Sequence, residues 1–343
     1  MDWTELIFKT IFLIIIFAVT LIVAMYSTYG ERKVAAFMQD RRGPNRAGPF
    51  GLLQPLADGL KMFMKEEIIP LTANKKLFII GPSIAMTTAL LTGVVIPWGG
   101  SLTIGGRVFS LQVADLNIGI LYVFAMVSIG VYGIMIGGWA SNNKYALLGA
   151  IRAASQMISY ELAMGMSIIA LVLTTGSLSL HDIVSQQQGM HWNIFYQPLG
   201  FFIFLICAFA ETNRAPFDLP ECETELIGGY HTEYSSMKLG FYLFAEYINM
   251  FISSAVIATL YFGGYNMPFI DQLGLSMNAV TFIGTFFFFL KIFSMIFLFM
   301  WIRWTLPRFR YDQLMNMGWK GLIPLAMFNI VATGVYYFFT ELK

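Results

Sequence analysis

Six carboxylates, Glu211, Asp218, Glu221, Glu223, Glu225 and Glu233, share the stretch 211–233 with one Lys/Arg side chain, Arg214. Glu221, Glu223 and Glu225 recur at every second position, so an extended chain aims all three the same way, about 7 Å apart. Like charges that close, partly withdrawn from water, resist ionising together, and such a group can take up and release protons near neutral pH. A solvated acidic loop is the plainer reading of the same stretch. A calcium site would need a spacing that an EF-hand has and this stretch lacks. Three further charges, Glu161, Glu246 and Lys291, interrupt long apolar runs. Each costs ~2.5–3.5 kcal/mol near the centre of an inserted helix and less toward its ends. They read as a polar path from the acidic stretch through Glu211, Glu161 and Glu246, or as a buried pair, Glu246 with Lys291, locking two helices. Lys291 suits either, because a buried ammonium shifts its proton affinity readily.

The elements that must position these groups are membrane helices. Of 343 residues, 57% are hydrophobic and 12% charged, and the mean hydropathy is +0.67; this composition belongs to the membrane class. Backbone groups in lipid must be satisfied within their own segment, so long unalternating apolar runs can only be helices. Eight runs qualify, at 6–26, 77–97, 116–138, 157–175, 198–210, 239–262, 279–302 and 322–340. Most match the ~20 residues needed to cross hydrocarbon, and the fifth is short. The expectation is an all-α integral membrane protein, one polytopic domain over 1–343, with cytoplasmic loops 27–76, 139–156, 211–238 and 303–321. All seven Trp residues, 3, 98, 139, 192, 301, 304 and 319, fall at or just beyond run ends, as interfacial rings do. Seventeen of the 21 Lys and Arg lie in the loops after the odd-numbered runs, which places both termini on the outer side. The first run is longer than a signal-peptide core and its basic cluster follows it, so it reads as a span.

The loop 27–76 is too long for a plain connection. Within it Leu53, Leu56, Leu60 and Phe63 share one helical face and Gln54, Asp58, Lys61 and Lys65 another, which predicts an amphipathic helix lying in the interface. It can be a simple anchor; the turn-rich basic stretch 40–46 before it would also suit the mouth of a site for an amphiphile. The loop after the seventh run, 301–314, is basic and aromatic and reads alone as a positive-inside anchor. Cys207 and Cys222 form no iron–sulfur or zinc spacing, and His181, His191 and His231 are too scattered for a haem pair, so no metal or redox centre is expected. Gly99-Gly100 and Gly105-Gly106 read as turns, and no internal repeat marks an inverted-repeat transporter.

Longer strings carry a family resemblance. Glu31-Arg-Lys33, Arg42-Gly-Pro-Asn45, Leu53-Gln-Pro-Leu-Ala-Asp58, Gly138-Trp-Ala-Ser-Asn-Asn143, Ile158-Ser-Tyr-Glu161, Glu211-Thr-Asn-Arg-Ala-Pro-Phe-Asp-Leu-Pro-Glu221, Glu233-Tyr-Ser-Ser-Met237, Ala245-Glu-Tyr247 and Pro307-Arg-Phe-Arg-Tyr-Asp-Gln313 closely resemble the H-subunit family of NADH-quinone oxidoreductase, respiratory complex I. Its mitochondrial counterpart is NADH dehydrogenase subunit one. The resemblance implies a subunit of a proton-translocating enzyme that binds no redox cofactor itself, with quinone as substrate and FMN and iron–sulfur clusters in partner subunits. It implies partners in the peripheral arm, at the quinone site and terminal cluster, and other membrane-arm subunits, with no nucleic acid. The location it implies is a bacterial inner membrane, or the mitochondrial one for an organellar source. Carried over by position, Arg32, Asp58 and Arg303 line a quinone tunnel, and Glu161, Glu211, Glu221, Glu223, Glu225 and Glu246 form the proton-linked chain. Arg214, Arg308 and Lys291 support the junction. Cys222 departs from the family, which usually has Gly there. A membrane-bound hydrogenase-type complex would keep the proton path without a quinone mouth, and a stand-alone ion transporter is the third reading. Large basic and acidic loops on one side favour docking of a partner over that third.

Overall fold

A computed structural model describes residues 3–218, 228–268 and 276–341. Glu221, Glu223, Glu225 and Cys222 therefore lie outside the described residues. The described chain is mostly helical.

Helix α1, Trp3–Met38, runs 36 residues, about 54 Å, well past a hydrocarbon core. It does not stop near position 26, because Glu31, Arg32 and Lys33 after the apolar run are good helix formers and no proline intervenes before Pro44. Glu31 and Arg32 thus stand on a rigid helix rather than in a loop. After a 3₁₀ turn at Pro49–Gly51 comes α2, Gln54–Met64, with Pro55 in its first turn, where a missing N–H is harmless. The expected amphipathic helix is present, and Leu56, Leu60 and Phe63 are exposed while Pro55 is buried.

Helix α3, Lys75–Thr92, ends at Gly93, short of the expected 97. A hairpin of β1, Ser101–Ile104, and β2, Arg107–Ser110, follows, turning on Gly105-Gly106, whose φ angles of +58° and +79° suit glycine. The turn was legible in the sequence; the strands around it were not. Trp98 stacks on Phe251 and Phe289 and donates to the Gly93 carbonyl at 3.0 Å, so this ring is packed inside the protein.

Helices α4, Gly119–Ala140, and α5, Lys144–Thr175, are joined by three residues. Most of the stretch 139–156, expected as a cytoplasmic loop, is thus helical: Asn143 caps α5 by accepting the Tyr145 N–H at 2.9 Å, and Gly149, Ala150, Ala153 and Ala154 pack the helix closely despite Lys144 and Arg152. Glu161 consequently sits near the middle of a 32-residue helix, not one turn from its start.

The short helices α6, Leu180–Gln186, and α7, Asn193–Tyr196, lead to α8, Pro198–Glu211. Then come α9, Ser236–Tyr261, and α10, Met277–Thr305. Last is α11, Tyr311–Asn316, which passes through a π-helical turn at Met317–Leu322 into α12, Ile323–Glu341.

Among the described residues six helices are long and apolar enough to cross a membrane: Trp3–Met38, Gly119–Ala140, Lys144–Thr175, Ser236–Tyr261, Met277–Thr305 and Tyr311–Thr340. The other two expected spans correspond to α3 and to the 14-residue α8. Burial orders the bundle, since 72% of the apolar window of α9 is enclosed against 11% for α1. Helix α9 is the hub, packed on α1, α3 and α10, so a charge on it is shielded from every side.

Candidate functional site

Four charged side chains from four parts of the chain converge where α1, α9 and α10 meet the segment after α8. Glu31, Arg214 and Glu246 are 7%, 5% and 5% exposed. Arg303 Nη1 lies 2.6 Å from Glu31 Oε1, Arg214 Nη1 3.7 Å from Glu31 Oε2, and Arg214 Nη2 3.3 Å from Glu246 Oε2. Two phenols complete the set: Tyr247 Oη donates to Glu31 at 2.9 Å and Tyr230 Oη to Glu246 at 3.1 Å. The Arg214 guanidinium also lies over the Tyr247 ring, 4.0 Å from its centroid. The four charges sum to zero, the condition under which buried ions are tolerable.

A cavity of about 420 Å³ opens beside this network. That volume is in the ~300–1,000 Å³ range of small-molecule sites. Arg32, Asp58, Lys61, Lys65, Arg214 and Arg303 supply its polar wall, and Met25, Leu239, Leu243 and Phe244 an apolar one. Arg32 and Asp58 pair at 2.8 Å, with Gln54 Nε2 donating to Asp58 at 2.9 Å. The polar face of α2 thus turns toward the cavity while its leucines face out of the chain. That pairing of walls suits an amphiphile with a polar, electron-rich head and an apolar tail.

Behind the network is a smaller cavity of about 30 Å³ that both Glu211 and Glu246 line, together with Tyr230, Tyr242 and Asn249. A space of that size holds one or two waters. Glu211 is buried at the last residue of α8. Glu161, half-buried on α5, accepts a hydrogen bond from Ser128 of α4 and lines neither cavity. Tyr234, just ahead of α9, donates to the Gly137 carbonyl at 3.2 Å, and burial pushes its phenol up to about 12, which keeps it a neutral donor.

The structure thus brings Arg32, Asp58, Arg303 and Arg214 to one cavity and Glu211 and Glu246 to another. Arg308 stands apart from both, paired with Asp218 at 3.0 Å. Lys291 does not pair with Glu246. Its ammonium donates to the carbonyls of Phe262, Gly264 and Asn266, each at 2.8 Å, and lies over Trp192. All three of its protons are thereby used in fastening the end of α9, about 18 Å along α10 from Arg303. Glu233, the last carboxylate of the acidic stretch, accepts from Asn143 at 2.6 Å. Sequence reasoning missed Glu31, Tyr230 and Tyr247 as members of the site. Glu31 was detectable as an acid inside a basic stretch.

These features define a class: a helical multi-pass membrane protein with an ion-pair network between a cationic cavity of small-molecule size and a water-sized acidic one. The chain belongs to the NADH dehydrogenase family, whose model matches residues 10–334. It is 73% identical over 326 residues to the NADH-quinone oxidoreductase H subunit 1 of Cytophaga hutchinsonii, covering 95% of each chain. It is 64% identical over 337 residues to the NADH-quinone oxidoreductase H subunit of Flavobacterium psychrophilum, covering 98% of each. The H subunit of the Thermomicrobium roseum enzyme is 48% identical over 344 residues, 98% of this chain and 97% of that one.

Proposed function

We propose that this chain is the H subunit of an NADH-quinone oxidoreductase, that it forms the membrane part of the quinone tunnel, and that its carboxylates couple quinone reduction to proton movement. One observation carries the reading: Arg214 lines the large cavity and at the same time pairs with Glu246, which lines the small one. A single guanidinium therefore senses charge on both sides.

The coupling follows from electrostatics. Two-electron reduction of a quinone places negative charge on its oxygens, which must then collect two protons. A unit charge arising ~4 Å from a guanidinium is worth about 4 kcal/mol at an effective dielectric of ~20. That is comparable with each existing ion pair at the same dielectric, so it weakens the hold of Arg214 on Glu246 and of Arg303 on Glu31 and leaves each carboxylate less well countered. Glu246 then takes a proton from the water between it and Glu211, and the demand passes inward. Glu161 belongs to the same proton-linked chain, as do Glu221, Glu223 and Glu225, which lie outside the described residues. Electrons reach the quinone from FMN and iron–sulfur clusters of peripheral partner subunits, and other membrane-arm subunits receive the proton-linked signal.

The membrane arrangement belongs to the same proposal. The six long helices with α3 and α8 make eight spans of one domain, with both termini outside. Helix α2 lies in the interface with its leucines in lipid, which matches their exposure.

In the assembled complex, a photoreactive quinone analogue is expected to form adducts within residues 32–65, and excess quinone is expected to suppress them. Adducts confined to partner subunits would remove the tunnel from this chain.

A further inference from the structure

The space between Glu246 and Glu211 does not end at Glu211. A second cavity of about 30 Å³ continues beyond it, and the two share Thr92, Val127, Glu211 and Asn249. Glu211 is the last residue of α8, whereas the far part of the second cavity reaches Ile120 at the start of α4 and Leu180 at the start of α6. The extension therefore runs from the acidic end of the bundle toward its opposite end.

Its polar groups lie along one helix. Glu246, Asn249 and Ser253 fall at i, i+3 and i+7 of α9 and so share a face, and the last two line the second cavity. Among the described residues neither the Asn249 amide nor the Ser253 hydroxyl has a hydrogen-bond partner. Both groups can donate and accept, and each cavity has room for one or two waters. Past Ser253 the wall becomes Val256 and Leu260, which offer water nothing.

We propose that Asn249 is a positioning residue of the proton path, holding the water that joins Glu246 to Glu211, and that Ser253 extends that water into a blind branch closed by Val256 and Leu260. This rests on the proton reading above. A proton crosses by relay: each water accepts one on its lone pair and releases another along the next hydrogen bond, while Asn249 keeps its own protons. The branch gives Glu211 a neighbouring place for a proton without opening a leak to the far face.

The experiment is redox-induced infrared difference spectroscopy of the complete complex, reading the Glu211 carboxyl band as the one lost in Glu211→Gln. Asn249→Leu, which fills the space, is expected to lower that band at least fivefold in fully assembled complex, and Ser253→Val, which fills only the side branch, to shift the band while leaving most of its intensity. Asn249→Gln, still able to hold water, is expected to stay within twofold of the unaltered protein. An undiminished band in Asn249→Leu overturns the proposal, and a band that Ser253→Val leaves unmoved overturns the branch. Equal loss in Asn249→Leu and Asn249→Gln indicates packing alone and overturns it too. A complex whose unaltered form shows no Glu211 band overturns the proton reading itself, and this proposal with it.

Discussion

Arg214→Met is expected to destabilise the protein sharply and to abolish most quinone reduction by the complex that contains it. Arg214 is almost fully buried and faces two carboxylates, Glu31 and Glu246. Removing it leaves one net negative charge in a dry setting, and breaking a buried pair this way typically costs about 3–5 kcal/mol. The companion double variant, Arg214→Met with Glu246→Gln, restores neutrality and should recover at least half of the lost stability. It should recover no quinone reduction, because the cationic wall of the large cavity stays broken. Thermal unfolding of both variants and of Glu246→Gln closes the double-mutant cycle. Additive losses would mean that the two side chains do not act as a pair.

Glu211→Gln should behave in the opposite sense. The amide matches the carboxyl in shape but cannot ionise, and a buried carboxylate is costly to keep charged. Assembly and thermal stability should therefore hold or rise slightly. Protons translocated per NADH oxidised, measured in proteoliposomes, should fall at least tenfold. A variant that pumps normally would remove Glu211 from the path, and one that merely unfolds would reduce it to a packing residue.

Where apolar runs begin was readable from the chain. Pro198 opens α8 on the residue the sequence indicates, since a proline is favoured in a first turn, where its missing N–H costs nothing. Where helices leave hydrocarbon was not readable, because charge and helix are independent properties. Residues 27–38 and 144–156 are charged or polar in part and still helical, which is why Glu31 and Arg32 looked like loop residues and Glu161 looked terminal. The candidate site divides in the same way. Glu246 and Lys291 stood out singly, as ions in apolar runs, but their partners depend on how α9 and α10 pack. That packing gives Glu246 to Arg214 and Tyr230, and Lys291 to three carbonyls at the end of α9. Glu31 joined the site only once α1 was seen to lie against α9 and α10.

The central claim is that protonation of Glu246 answers to charge on a quinone in the neighbouring cavity, through Arg214. Its most direct test is a single-turnover reduction of bound quinone in the purified complex, with a pH-indicating dye reporting proton uptake. The unaltered complex should take up more protons than the two that the quinol itself retains, and Glu246→Gln should take up fewer than the unaltered complex at equal quinol yield. Identical uptake in the two would contradict the account.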